Sequence, residues 1–221
     1  MNLAKRFSLT ASVSTAVLML SIPAHAETSG QKIYTQGGAS PAAMACAACH
    51  GANGMGTASA GFPRLAGLPA GYMSKQIEDF RSGKRANGVM QPIAVALGDA
   101  EVDAVATYMA GMSPGAASTA LDPTGPVTSA VEKIVKQGDW SRNIPACVAC
   151  HGEGNTGVGS SFPPLMGQSG VYLAAQLNAW RSGTRKNDPN DLMGHVARSL
   201  SDTEVKDIAT YFDSLNGEAS Q

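Results

Sequence analysis

Near the end of the chain Val205, Ile208, Ala209 and Phe212 recur at spacings of three and four among polar residues, the pattern of a helix with one apolar face. Ser201 and Glu204 stand before that stripe as a capping box, and Leu200 and Val205 can form its hydrophobic staple. The helix is predicted to end near Leu215. Earlier, Leu97, Glu101, Val102, Val105 and Tyr108 set out the same pattern, with Gly98 as a weaker cap. Further helices are predicted over Gly30 to Gln36, Ala70 to Arg81, Val127 to Gln137 and Gly170 to Arg181. No run sustains strand alternation, so the fold class is all-α.

These elements come in two sets. Cys46-Ala47-Ala48-Cys49-His50-Gly51 recurs as Cys147-Val148-Ala149-Cys150-His151-Gly152, and Phe62-Pro63-Arg64-Leu65-Ala66-Gly67 as Phe162-Pro163-Pro164-Leu165-Met166-Gly167. Tyr72, Gln76 and Arg81-Ser82-Gly83 return as Tyr172, Gln176 and Arg181-Ser182-Gly183, at an offset of 100 to 103 residues throughout. The chain is a tandem duplication. Residues 27–111 form the first predicted domain, 112–127 a linker rich in Pro and Gly, and 128–221 the second. Each copy is of a size at which burial of its own apolar surface is only just sufficient.

The first 26 residues read as an export signal: Lys5 and Arg6, an apolar run from Phe7 to Ile22, then Ala24-His25-Ala26 as the cleavage site. Cleavage after Ala26 and a periplasmic location are expected. Over the whole chain, 16 Lys+Arg balance 17 Asp+Glu, with 43% hydrophobic residues, which excludes a highly charged disordered chain and a multi-span membrane protein. No basic cluster serves a phosphate backbone, so no nucleic-acid partner is expected. Aromatic residues reach only 5%, thin for two small cores, and imply that something else fills them.

All four cysteines lie in the two Cys-x-x-Cys-His motifs, the spacing of covalent c-type haem attachment. Cys46 and Cys49, and Cys147 and Cys150, can each form thioethers with two porphyrin vinyl groups, while His50 or His151 reaches the iron from the same face. A structural disulfide, a thioredoxin-like pair and a zinc site are the competing readings. Two haem c groups account for the missing core volume.

The second axial position calls for methionine. Of the eight methionines after Ala26, only Met90 and Met193 correspond across the repeat, 40 and 42 residues after their histidines. Both lie in turn-rich segments that could loop across the distal haem face, whereas most other methionines read as core filler. His195 rivals Met193, but its counterpart is Pro92. His/Met ligation raises the potential relative to two histidines and closes both irons to substrate, which points to electron transfer instead of catalysis. Arg81, Arg85, Arg181 and Arg185 have two readings, as partners of haem propionates or as cations at helix C-termini. Pro63 and Pro163 either turn the chain or present a carbonyl to the proximal imidazole.

On these motifs, from Gln31 to Leu215, the chain resembles the dihaem class I c-type cytochromes, most closely the cytochrome c4 family. The resemblance implies two class I cytochrome c domains related by a pseudo-two-fold axis, with propionate edges facing across their interface. It also implies a periplasmic carrier, monomeric, that passes single electrons between redox proteins such as a membrane oxidase, a reductase or a dehydrogenase. Peripheral membrane association is compatible with this role. The alternatives are an electron-transfer subunit of a dehydrogenase complex and, less well supported, a dihaem peroxidase or thiosulfate-oxidising enzyme. Pro164 in place of Arg64, Gln168 in place of Leu68 and three extra residues before Met193 predict unequal haem environments.

Overall fold

The computed structural model describes residues 29–115, 125–188 and 190–216. The predicted signal and positions 116–124 of the predicted linker lie outside the described residues.

Each half begins with a short helix and a turn carrying the Cys-x-x-Cys-His motif. The first half has α1 (Ser29–Gln36), α2 (Ala47–His50), α3 (Ala70–Arg81), α4 (Met90–Ala96) and α5 (Asp99–Ala110). The second has α6 (Ala130–Gln137), α7 (Cys147–His151), α8 (Gly170–Ser182), α9 (Leu192–Ser199) and α10 (Asp202–Leu215). Among the described residues, β-pairing is confined to isolated bridges, so the fold is all-α. No described helix is long and apolar enough to cross a membrane.

The caps follow the sequence. Ser201 Oγ accepts the Glu204 amide at 3.2 Å while Glu204 returns to the Ser201 amide at 2.8 Å, which satisfies two N–H groups the first turn of α10 cannot pair itself. Gly98 has no side chain to offer, and only the return bond from Glu101 is made, at 2.8 Å. Helix α6 starts at Ala130, later than Val127, because Ser129 caps it by accepting the Glu132 amide. Helices α4 and α9 occupy the segments expected to be turn-rich distal loops. Pro92 sits in the first turn of α4, where its missing N–H costs no hydrogen bond, and Ile93, Ala94 and Leu97 then supply the inward face.

Each half has its own core. The first gathers Ile33, Tyr34, Met73, Ile77, Phe80, Val105 and Met109; the second gathers Ile134, Val135, Ile144, Leu173, Leu177, Ile208 and Phe212. The halves meet about an approximate two-fold arrangement. Ala86 N–H donates to Thr184 O and Lys186 N–H to Lys84 O, both at 2.8 Å, forming an antiparallel bridge between Arg85 and Arg185. Alongside it, Arg85 reaches Gln176 Oε1 at 2.8 Å and Tyr172 Oη at 2.7 Å, and Arg185 reaches Gln76 Oε1 at 3.0 Å and Tyr72 Oη at 3.4 Å.

Two departures between the copies form the other side of this interface. Gln168 Oε1 accepts the Arg64 amide at 2.9 Å, Gln168 Nε2 donates to Arg64 O at 3.1 Å, and the Arg64 guanidinium crosses to Met166 O at 2.8 Å. Both side chains are buried, so the contact takes the place of water on every group it satisfies.

Candidate functional site

Helices α2 and α7 deliver their histidines to the interior: His50 and His151 are 6% and 7% exposed. Beyond each histidine the chain doubles back. Thr57 bridges to Phe62, and Val158 to Phe162, which brings the following proline carbonyl onto the imidazole. His50 Nδ1 lies 2.9 Å from Pro63 O and His151 Nδ1 2.7 Å from Pro163 O. A carbonyl only accepts, so Nδ1 carries the proton and Nε2 is left with a lone pair. Burial holds both imidazoles below the ordinary histidine value, against the raising effect of the carbonyl bond. A neutral ring, locked in one tautomer by a backbone acceptor, is what a metal-ligating histidine needs.

The four cysteines are partly buried, and no two of them are joined in a disulfide. Burial pushes the Cys46 and Cys147 thiols up to about 11. Among the described residues no group of three or more His, Cys, Asp or Glu is gathered to hold an ion, so the zinc reading lacks its ligand set.

Met90 opens α4 and Met193 lies in the first turn of α9. Both are half-buried against their own cores. His195 is exposed, and its Nε2 lies 3.1 Å from Asn143 O on the surface, which takes it out of competition with Met193. Met73, Met109 and Met166 are buried core residues, as filler methionines should be.

The arginines divide by position. Arg81 ties α3 to the carbonyl of Ala94 at 2.7 Å and to Asp99 at 2.8 Å, and Arg181 pairs with Asp202 at 2.6 Å. These two brace helix ends. Arg85 and Arg185 instead lie buried at the interface, 7% and 5% exposed, stacked on Phe80 at 4.5 Å and on Trp180 at 3.9 Å. Their hydrogen-bond partners are amides and tyrosine hydroxyls, and neither enters an ion pair among the described residues. Buried cations require an anion. Trp180 Nε1 and Tyr211 Oη are also buried without a partner. Guanidiniums with no carboxylate partner, and buried donors left unsatisfied, fit the propionate carboxylates of two haems. Sequence reasoning singled out the arginines but missed Gln76, Gln176, Tyr72 and Tyr172 as their partners, although all four recur across the repeat.

Comparison with known proteins agrees. The cytochrome c family model matches residues 28–113 and 142–216. The thiosulfate dehydrogenase electron acceptor of Stutzerimonas stutzeri (strain A1501) is 61% identical over 197 residues, 89% of this chain and 90% of the relative. Among solved structures, the thiosulfate dehydrogenase (TsdBA) of Marichromatium purpuratum in its as-isolated form superposes with a TM-score of 0.74 at 43% identity. That match covers 83% of this chain but only 39% of the other. Reduced recombinant cytochrome c4 from Pseudomonas stutzeri gives a TM-score of 0.64 at 32% identity, over 77% of this chain and 93% of that one. Two covalent haem c groups, one on Cys46 and Cys49 and one on Cys147 and Cys150, follow from the family and the paired motifs. The chain belongs to the cytochrome c family, as an electron-transferring dihaem class I cytochrome of the cytochrome c4 type.

Proposed function

We propose that this protein is a periplasmic electron acceptor for a thiosulfate-oxidising dehydrogenase, exported by cleavage after Ala26, with no catalytic site of its own. The observation that carries this reading is 61% identity, over almost all of both chains, to a protein named for that role. It favours partnership with a dehydrogenase over direct service to a terminal oxidase, which becomes the onward step. Covalent haem supplies a one-electron iron couple. His50 and Met90 hold the first iron, and His151 and Met193 the second. The carbonyls of Pro63 and Pro163 orient the two histidines, and Arg85 and Arg185 neutralise propionates between them. Two such centres store two electrons, the number released when two thiosulfate ions couple through a new S–S bond.

The test mixes oxidised protein with thiosulfate, with and without a thiosulfate dehydrogenase, and follows the reduced haem band. Reduction of both haems only when the dehydrogenase is present is expected. Reduction by thiosulfate alone, with turnover, would make the chain an enzyme. Oxidised haems beside a dehydrogenase that turns over with an artificial acceptor would remove the partnership. A far-red methionine–iron band equivalent to two haems, unaffected by carbon monoxide after reduction, checks the axial ligands separately.

A further inference from the structure

The two distal methionines are held by different hands. In the first domain Asn87 Oδ1 accepts the amides of Val89 at 3.0 Å and Met90 at 2.8 Å, so a neutral amide side chain anchors the start of α4. The counterpart in sequence, in Arg-Lys-Asn against Arg-Ala-Asn, is Asn187. It does something else. Asn187 is buried and points into the domain interface, where its Nδ2 donates to Gln76 Oε1 at 2.8 Å and to Asp79 Oδ2 at 2.7 Å, and its carbonyl accepts Lys75 Nζ at 2.9 Å.

The longer loop of the second copy supplies a replacement. Asp188 Oδ2 accepts the Met193 amide at 2.5 Å, Asp188 Oδ1 accepts the Asn190 amide at 3.3 Å, and Asp188 O accepts the Asp191 amide at 3.2 Å. As Asn87 does for Met90, a side-chain oxygen accepts the amide of the methionine, here five residues on instead of three and with an anion in place of an amide. The nearby ion pair joins Asp191 to Arg198, and Asp188 enters no ion pair among the described residues.

We infer that Asp188 is the positioning residue of Met193, and that its uncompensated charge holds the second haem at a lower potential than the same loop anchored by a neutral side chain would. A negative charge on the segment that would carry an iron ligand would favour the ferric state, which has the greater positive charge. Asn187 thus binds the domains together, and a carboxylate does for Met193 what Asn87 does for Met90. This inference rests on Met193 as the axial ligand of the second haem.

Three variants test it by redox titration and by the far-red methionine–iron band, with the second haem identified as the one whose band is lost in Met193→His. Asp188→Asn keeps the acceptor and removes the charge. It should retain both bands and raise the potential of the second haem alone. Asp188→Ala removes the acceptor and should lower the temperature at which the second haem loses its band, with the first unchanged. Asn87→Asp places the carboxylate in the first domain and should lower the potential of the first haem. Unmoved potentials in Asp188→Asn overturn the charge effect, and an unmoved band transition in Asp188→Ala overturns the positioning role. A second haem without a methionine band in the unsubstituted protein overturns the axial assignment and this inference together, and is recognised before any Asp188 variant is made.

Discussion

Helix α1 crosses α5 so closely that a Cβ on Gly30 would stand 2.2 Å from the Ala104 carbonyl oxygen. In the second domain the matching position of α6 is Val131, too large for that approach. The tight crossing has moved to α8 and α10, where a Cβ on Gly170 would stand 2.2 Å from Ala209 O; the first domain has Ala70 there. Charge pairing differs in parallel. The second domain carries the Arg142 network, joined to Asp139 at 2.7 Å and Glu204 at 2.6 Å, and the Glu132–Lys136 pair at 2.8 Å. The first domain has no equivalent of the Arg142 network, because Pro41 occupies the corresponding position. A duplicated sequence therefore preserves the haem-binding frame and lets each copy choose where its helices touch and which charges hold its edges.

The bluntest way to test the independence of the two frames is to delete one. Replacing Cys147 and Cys150 by Ala should reduce covalent haem from two groups to one and leave the first domain's methionine band in place, measured by haem content and visible absorption. Loss of both haems would show that the frames are coupled in maturation. Next in size, Gly30→Ala should destabilise the first domain by about 1–3 kcal/mol or more, because backbone cannot yield as a side-chain tip can. Gly170→Ala should do the same to the second domain. Thermal unfolding followed at each haem separates the domains.

Acid should separate them further. The Lys136 ammonium and Thr128 hold Glu132 down to about 2, Ser141 and Arg142 hold Asp139 down to about 2, and Arg142 and Ser201 hold Glu204 down to about 2 against burial. In the first domain the Gly98 and Ala39 amides lower Glu101. A carboxylate depressed in the folded state adds stability that is present above its ordinary value and is lost as pH falls toward the depressed one. Between about pH 4.5 and about 2 the second domain should therefore lose more stability than the first, seen as its haem band collapsing first in an acid titration. The smallest effect lies at the caps. Ser201→Ala should cost about 1 kcal/mol, while Gly98→Ser should gain a few tenths; the two thermal midpoints shift in opposite directions.

Much of this was legible in the residues. The repeat, the long helices and the Ser201 cap all follow from patterns that local physics enforces. The proline carbonyls could be posed as a question, because a ligating imidazole needs an acceptor behind it. Helices α4 and α9 were harder. They are short, one contains Pro92, and their Gly- and Asn-rich approach imitates a loop. The interface was the least visible. Arg64 and Gln168 look like unrelated lapses from the repeat when each copy is aligned on the other; they are partners in space, and pairing across a symmetry axis leaves no trace in a one-dimensional comparison. The departure of Asn187 from the role of Asn87 is hidden for the same reason.

The bridge between Arg85 and Arg185 reads as a record of ancestry. Across it, Arg85 meets Gln176 as Arg185 meets Gln76, and Tyr172 serves one arginine as Tyr72 serves the other. Residue i meeting j while j meets i is the signature of an isologous interface, which a single domain forms with its own copy. A one-domain ancestor that paired with itself would need only a fused gene to become this chain. The linker then acts as a tether that fixes stoichiometry, and freedom from strict symmetry is what allowed Arg64, Gln168 and Asp188 to specialise on one side only.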